Sequence, residues 1–264
     1  MRIGKQDQPH TAIATSDAES VTVRGKDLCS ELIGKISFTD YFFFLVTGKE
    51  PTEEQRFFID ALLVSIAEHG LVPSVQAARM TYDASPEAFH GAVAAGLLGC
   101  GSVVFGSSES AGRFLAALVQ KAEETGEDPK AVALETLTEM RKTKQPIPGY
   151  GHPQHSGGDP RANVLLKLAD DRGVSGKHIA MLRTVAEVIP EVIPRALPIN
   201  ISGAIPAILL DIDFPLEGLK GVPLLARTAG LIAHLTEESK RQIGFIMSHH
   251  ADLAISYDGP PAKG

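Results

Sequence analysis

The 264-residue sequence predicts an all-α protein. Three observations carry that reading: helix-start signals recur along the chain, apolar residues follow them at helical spacing, and few segments alternate as strands do. A chain of this length buries a substantial core and lies near the size at which one core divides into two.

Taken in order, Ser37-Phe38-Thr39-Asp40 reads as a capping-box-like start and Gly48 as a stop, before Pro51-Thr52-Glu53-Glu54 opens a second helix. Within that helix Phe58, Leu62 and Ile66 fall on one buried stripe that ends near Gly70. Ser85-Pro86-Glu87 opens an Ala-, Gly- and Leu-rich segment through Leu98, whose small residues suit close packing and predict a central helix. Ser107-Ser108-Glu109, Asp128-Pro129, Asp159-Pro160, Ser175 and Gly221-Val222-Pro223 mark later starts. Glycines interrupt Gly101 to Gly106 and Ile199 to Gly203, which read as hinges about which a smaller helical domain moves over a cleft. The polar residues 1 to 20 read as a loose arm and Asp258 to Gly264 as a frayed tail.

A net charge of −7 with dispersed Lys and Arg argues against nucleic-acid binding and leaves room for local sites for small anions. The two cysteines, Cys29 and Cys100, lie in apolar helical contexts without metal-ligand spacing. With no signal-peptide core and no apolar run of membrane-spanning length, the expectation is a cytoplasmic protein that does not enter a membrane.

The chemistry concentrates in Pro148-Gly149-Tyr150-Gly151-His152-Pro153 and the following Asp159-Pro160-Arg161-Ala162. Asp159 suits a helix cap and Pro160 its first position, so Arg161 falls in the first turn, beside N–H groups that favour an anion. The glycines flanking His152 let backbone approach a ligand. An imidazole beside a carboxylate or phosphate pocket is the functional reading; an ordinary helix start and a turn histidine is the alternative.

This motif resembles the signature of the citrate synthase superfamily. Further segments resemble that family in the right order: Val23 to Leu28, Phe38 to Pro51, Glu68-His69-Gly70 with Ala77-Ala78-Arg79, Pro198 to Leu210, and Ala226 to His234. The resemblance implies a large helical domain, 1–106 with 205–264, a small helical domain, 107–204, and a cleft for a CoA thioester and a di- or tricarboxylate. It also implies a homodimer or higher homo-oligomer, with no metal or redox cofactor. Carried over residue by residue, it gives His152 the carbonyl or hydroxyl oxygen at the reacting carbon and gives Arg161, Arg227 and His69 the substrate carboxylates. Arg241 is a further carboxylate ligand, offered to the partner subunit. Gly149, Tyr150 and Gly151 form the loop that recognises CoA, and His155 either assists near the thioester or is a solvated loop residue.

Two departures from the family pattern matter. Val104 occupies the place of a histidine that stabilises the enol of the acetyl thioester, and an aliphatic side chain donates no hydrogen bond. Asn200-Ile201-Ser202-Gly203 stands where the family has Asn-Val-Asp, so Ser202 replaces the carboxylate that moves a proton at the acetyl carbon, a task for which a hydroxyl is too weak a base. The expected function is a citryl-CoA lyase-like enzyme that cleaves or forms a C–C bond between an acyl-CoA and a 2-oxo acid such as oxaloacetate. The alternatives are an acyl-CoA thioester hydrolase and a non-catalytic CoA-thioester or polycarboxylate binding protein.

Overall fold

The computed structural model describes residues 9–101, 106–151 and 158–260, most of them helical. The chain falls into two compact units, Met1–Asp60 and Ala61–Gly264.

In the first unit the strands β1 (Ala14–Ser16), β2 (Val21–Val23) and β3 (Lys26–Asp27) form an antiparallel sheet in that order, with Ala14 opposite Val23 and Thr22 opposite Asp27. The expected loose arm therefore ends earlier than residue 20, because Asp17 Oδ1 accepts the N–H groups of Glu19 and Ser20 and closes the turn between β1 and β2. Cys29 lies in a π-helical turn, Leu28–Leu32, and is exposed rather than packed on an apolar face. Helix α1 (Phe38–Thr47) starts and stops as expected: Ser37 Oγ accepts the Asp40 N–H at 3.1 Å, and Gly48 takes a left-handed φ of 74°. A reciprocal pair opens α2 (Glu53–Ala67): Gln55 N–H donates to Thr52 Oγ1 and Thr52 N–H to Gln55 Oε1. Phe58, Leu62 and Ile66 of α2 are all buried, as their spacing required.

The second unit continues with α3 (Pro73–Ala84), α4 (Phe89–Leu98), α5 (Gly106–Thr125), α6 (Pro129–Lys142), α7 (Pro160–Asp171), α8 (Lys177–Val192), α9 (Ile201–Asp211), α10 (Gly221–Glu238) and α11 (Gly244–Ala254). Helices α3, α4 and α10 share a cluster of Val75, Ala78, Ala92, Leu231 and Leu235, and α11 packs on α3. The central helix is α9, which buries Ile201, Ala204, Ile205, Ala207, Ile208 and Leu209 among α5, α7 and α8. It is not α4, which leaves Leu98 exposed. The small residues of α4 instead answer a local demand, since a Cβ on Gly96 would stand 2.9 Å from the Ser74 carbonyl oxygen.

Helix α8 begins at Lys177 with Gly176 as its cap residue, not at Ser175. Gly176 has no side chain to cap with, and the acceptor comes from the end of α9. Asp211 takes the N–H groups of Gly176, His178 and Ile179 at 2.8 to 2.9 Å, and His178 Nδ1 lies 2.8 Å from its Oδ1. Ser175 Oγ donates to Asp170 instead.

Among the described residues no helix is long and apolar enough to cross a membrane. Gly230 on α10 faces the end of α2 so closely that an added Cβ would collide with the Ala67 carbonyl oxygen. Gly230→Ala gains up to about 1 kcal/mol of helix propensity but overpacks a rigid backbone contact, at about 1–3 kcal/mol. The variant is therefore expected to unfold at lower urea concentration than the wild type, as followed by circular dichroism.

Candidate functional site

The glycine loop and the first turn of α9 are built against each other. Gly149 and Gly151 have φ of 92° and 77°, a region that favours glycine. A Cβ on Gly149 would lie 2.9 Å from the Gly203 Cα, and one on Gly203 would lie 2.6 Å from the Gly149 oxygen. That packing accounts for Gly149 and Gly203 before any ligand is considered. Tyr150 bridges to Ile199, Gly151 N–H donates to Pro198 O at 2.8 Å, and Asn200 N–H donates to Gly149 O at 3.0 Å. The Asn200 side chain completes the junction: Oδ1 accepts the Gly203 N–H, and Nδ2 donates to Gly151 O at 2.6 Å.

The Tyr150 side chain is buried and its hydroxyl donates to Leu182 O at 2.8 Å; burial holds its pKa well above the ordinary value. Tyr150 thus anchors the loop, and what its side chain offers is a hydrogen bond within the core.

Asp159 is 0 % exposed and serves two helices at once. It caps α7 by accepting the Arg161 N–H at 3.0 Å, and its Oδ2 accepts the Ile201 N–H at the start of α9 at 3.2 Å. Nε and Nη2 of Arg161 donate to Oδ1 and Oδ2 of the same carboxylate at 3.0 and 2.9 Å. The fork fixes the guanidinium plane while the side chain stays 23 % exposed, leaving Nη1 outside the pair. Burial works to raise the Asp159 pKa, but the hydrogen bonds and charge of Arg161 and the Ile201 N–H outweigh it and leave the carboxyl below its ordinary value.

Arg227 on α10 is 3 % exposed. Burial depresses its pKa, Glu68 and Cys100 oppose that shift, and Arg161 adds to it, so the two arginines lie within each other's field. Two like charges in one region, one of them buried, favour an anionic occupant. Glu68 lies with them, its Oε2 2.9 Å from His234 Nε2. The next residue, His69, is on an exposed loop, its N–H held by Glu68 Oε1 at 2.8 Å.

Ser202, in the first turn of α9, accepts a hydrogen bond from Ser107 Oγ at 2.9 Å. Arg241 is 80 % exposed, with Nη1 3.7 Å from Glu237 Oε1. No described contact joins it to Arg161 or Arg227. Val104, His152 and His155 lie outside the described residues.

Four partnerships of this region have no signature in single motifs: Asn200 joins the glycine loop to α9, Asp159 reaches from its own helix cap to the Ile201 N–H, and Glu68 and Ser107 gain His234 and Ser202 only in three dimensions. Among the described residues no group of three or more His, Cys, Asp or Glu side chains is arranged to hold a metal.

The family model described as citrate synthase, C-terminal domain, matches residues 10–246. Citrate synthase from Deinococcus radiodurans is 26% identical over 203 residues, which are 75% of this chain and 52% of that protein. The chain thus spans about half the length of the curated relatives it matches. Citryl-CoA lyase from Hydrogenobacter thermophilus superposes with a TM-score of 0.84 at 31% identity, covering 100% of this chain and 97% of that one. ATP citrate lyase from Methanothrix soehngenii, solved in complex with citrate and coenzyme A, has a TM-score of 0.76 at 25% identity over 98% of this chain and 43% of its own.

Because the Asp159 pKa is depressed on folding, its contribution to stability is complete above the unfolded carboxyl value of about 3.9 and is lost as pH falls through the lower folded value. Asp159→Asn should lose on the order of 1–3 kcal/mol at neutral pH, the range for a charged hydrogen-bond partner removed. Its urea midpoint should also change less than that of the wild type between pH 4 and pH 2. Parallel midpoint curves for the two proteins across that interval would contradict the role given to Asp159.

Proposed function

The chain belongs to the citrate synthase family, and from that premise we propose that it is a citryl-CoA lyase-like enzyme with altered proton chemistry at the acyl carbon. The observation that carries this reading is the correspondence with a citryl-CoA lyase along nearly the whole of both chains. The placement of Arg161 and Arg227 in one field supports it, because a guanidinium oriented by Asp159 with Nη1 outside that pair, beside a buried cation, suits a polycarboxylate.

In this reading a 3-hydroxy-3-carboxyacyl-CoA is held by its carboxylates on Arg161, Arg227 and His69, and in trans on Arg241. Residues 107–204 act as the small domain, with 1–106 and 205–264 as the large one, in a cytoplasmic homodimer. Backbone of the Gly149–Gly151 loop meets the CoA moiety. His152 takes the proton from the 3-hydroxyl; the C–C bond to the acyl α-carbon breaks, the hydroxyl oxygen becomes the ketone of the 2-oxo acid, and the electron pair enters the thioester as an enolate. Reprotonation of the α-carbon completes the step, and the reverse sequence is condensation. Where the family carries a carboxylate for that last transfer, this chain has the Ser202–Ser107 hydroxyl pair, which can hydrogen-bond a thioester oxygen or hold a water. That pair also favours the second reading, hydrolysis of the thioester by a held water.

Product analysis with citryl-CoA separates the readings. Acetyl-CoA with oxaloacetate is expected for a lyase, free CoA with citrate for a hydrolase, and saturable binding without products for a binding protein. Arg161→Lys should weaken citrate binding by on the order of 1–3 kcal/mol in calorimetry, since an ammonium cannot keep the two-point pair with Asp159 and also present a fixed donor as Nη1 does; unchanged affinity in folded protein would remove Arg161 from the ligands.

Ser202→Asp places a carboxylate in the first turn of α9, where the helix dipole favours it and Ser107 can donate to it. It should raise the rate of acetyl-CoA and oxaloacetate formation, with the gain approaching about 10²–10⁴-fold for well-placed general acid–base catalysis. A fall in that rate would assign Ser202 to a different proton path.

A further inference from the structure

Glu68 follows α2, and its carboxylate has three partners from two parts of the chain. Oε1 accepts the N–H groups of His69 and Gly70 at 2.8 and 2.5 Å, and Oε2 stands 2.9 Å from His234 Nε2 on α10. The same oxygen lies over α10 one turn beyond Arg227, since a Cβ built on Gly230 would come within 3.2 Å of it. Arg227, Gly230 and His234 are neighbours on one face of that helix by their three- and four-residue spacing. The carboxylate therefore ties the turn that carries His69 to the stretch of α10 that carries Arg227.

We infer that Glu68 is a positioning residue, which through its hold on the His69 and Gly70 amides and on His234 presents the His69 turn to the carboxylate site of Arg227. This rests on reading Arg227 and His69 as ligands of a carboxylate. Glu68 is half exposed and touches no reacting atom; its action is on the backbone of the turn. A positioning role depends on an acceptor oxygen rather than on charge. Glutamine keeps that oxygen for the two N–H groups, and its amide can donate to the neutral imidazole of His234.

The test compares the full chain with Glu68→Ala and Glu68→Gln by amide hydrogen exchange in NMR and by calorimetric titration with citrate. Glu68→Ala should lose about tenfold or more in protection at His69 and Gly70 and bind citrate about tenfold more weakly, the size of one lost hydrogen bond. Glu68→Gln should stay within about twofold of the wild type in both, the range left by a retained acceptor. Wild-type protection in Glu68→Ala overturns the inference. So does a Glu68→Gln variant that loses citrate as the alanine variant does, which would make charge the operative property. Failure of the wild type to bind citrate sinks the functional reading instead, while exchange at His69 and Gly70 still decides whether Glu68 holds the turn.

Discussion

Two backbones without side chains, Gly149 and Gly203, meet at the start of α9, and the candidate site depends on that approach. A single methyl group at either position would force the loop from the helix by more than packed backbone tolerates. With the two in contact, Asn200 reaches both Gly203 and Gly151, and the Ile201 N–H reaches Asp159. The unsatisfied N–H groups of a helix start are thereby used to join three segments: the glycine loop, α7 and α9.

The electrostatics follow from that junction. Asp159 is buried because it lies between two helix starts, and a buried carboxylate persists as an anion only with partners of this quality. Arg161 is one of those partners, so its guanidinium is oriented before any substrate arrives. Arg227 is desolvated on α10 and cannot shed its proton near neutral pH. Each cation is balanced differently: Arg161 pairs with Asp159, and the charge of Glu68 opposes the cost of burying Arg227, so both keep positive charge in one region.

Capping chemistry made much of the fold legible in the sequence. Ser37, Asp128 and Asp159 cap as their identities and the following residues indicate, and the Phe58, Leu62, Ile66 stripe is buried. What failed were features decided by distant partners. Ser175 was passed over for Gly176 because Asp211 supplies the cap, and α4 yielded the centre to α9 because an apolar composition does not say which faces are covered. In the site, Arg161 could be placed from its own helix start. The roles of Asn200, Ser107 and Glu68 arise from contacts between segments far apart in sequence, or from a carboxylate folding back on its own turn, and carry no spacing signature.

The capping of α8 by Asp211 also orders the birth of the molecule. During synthesis the first turn of α8 emerges with three N–H groups whose acceptor lies more than thirty residues downstream, at the far end of α9. Until the ribosome has released that aspartate, α8 is a helix with a frayed beginning. Completion of one helix's cap thus waits on translation of the next.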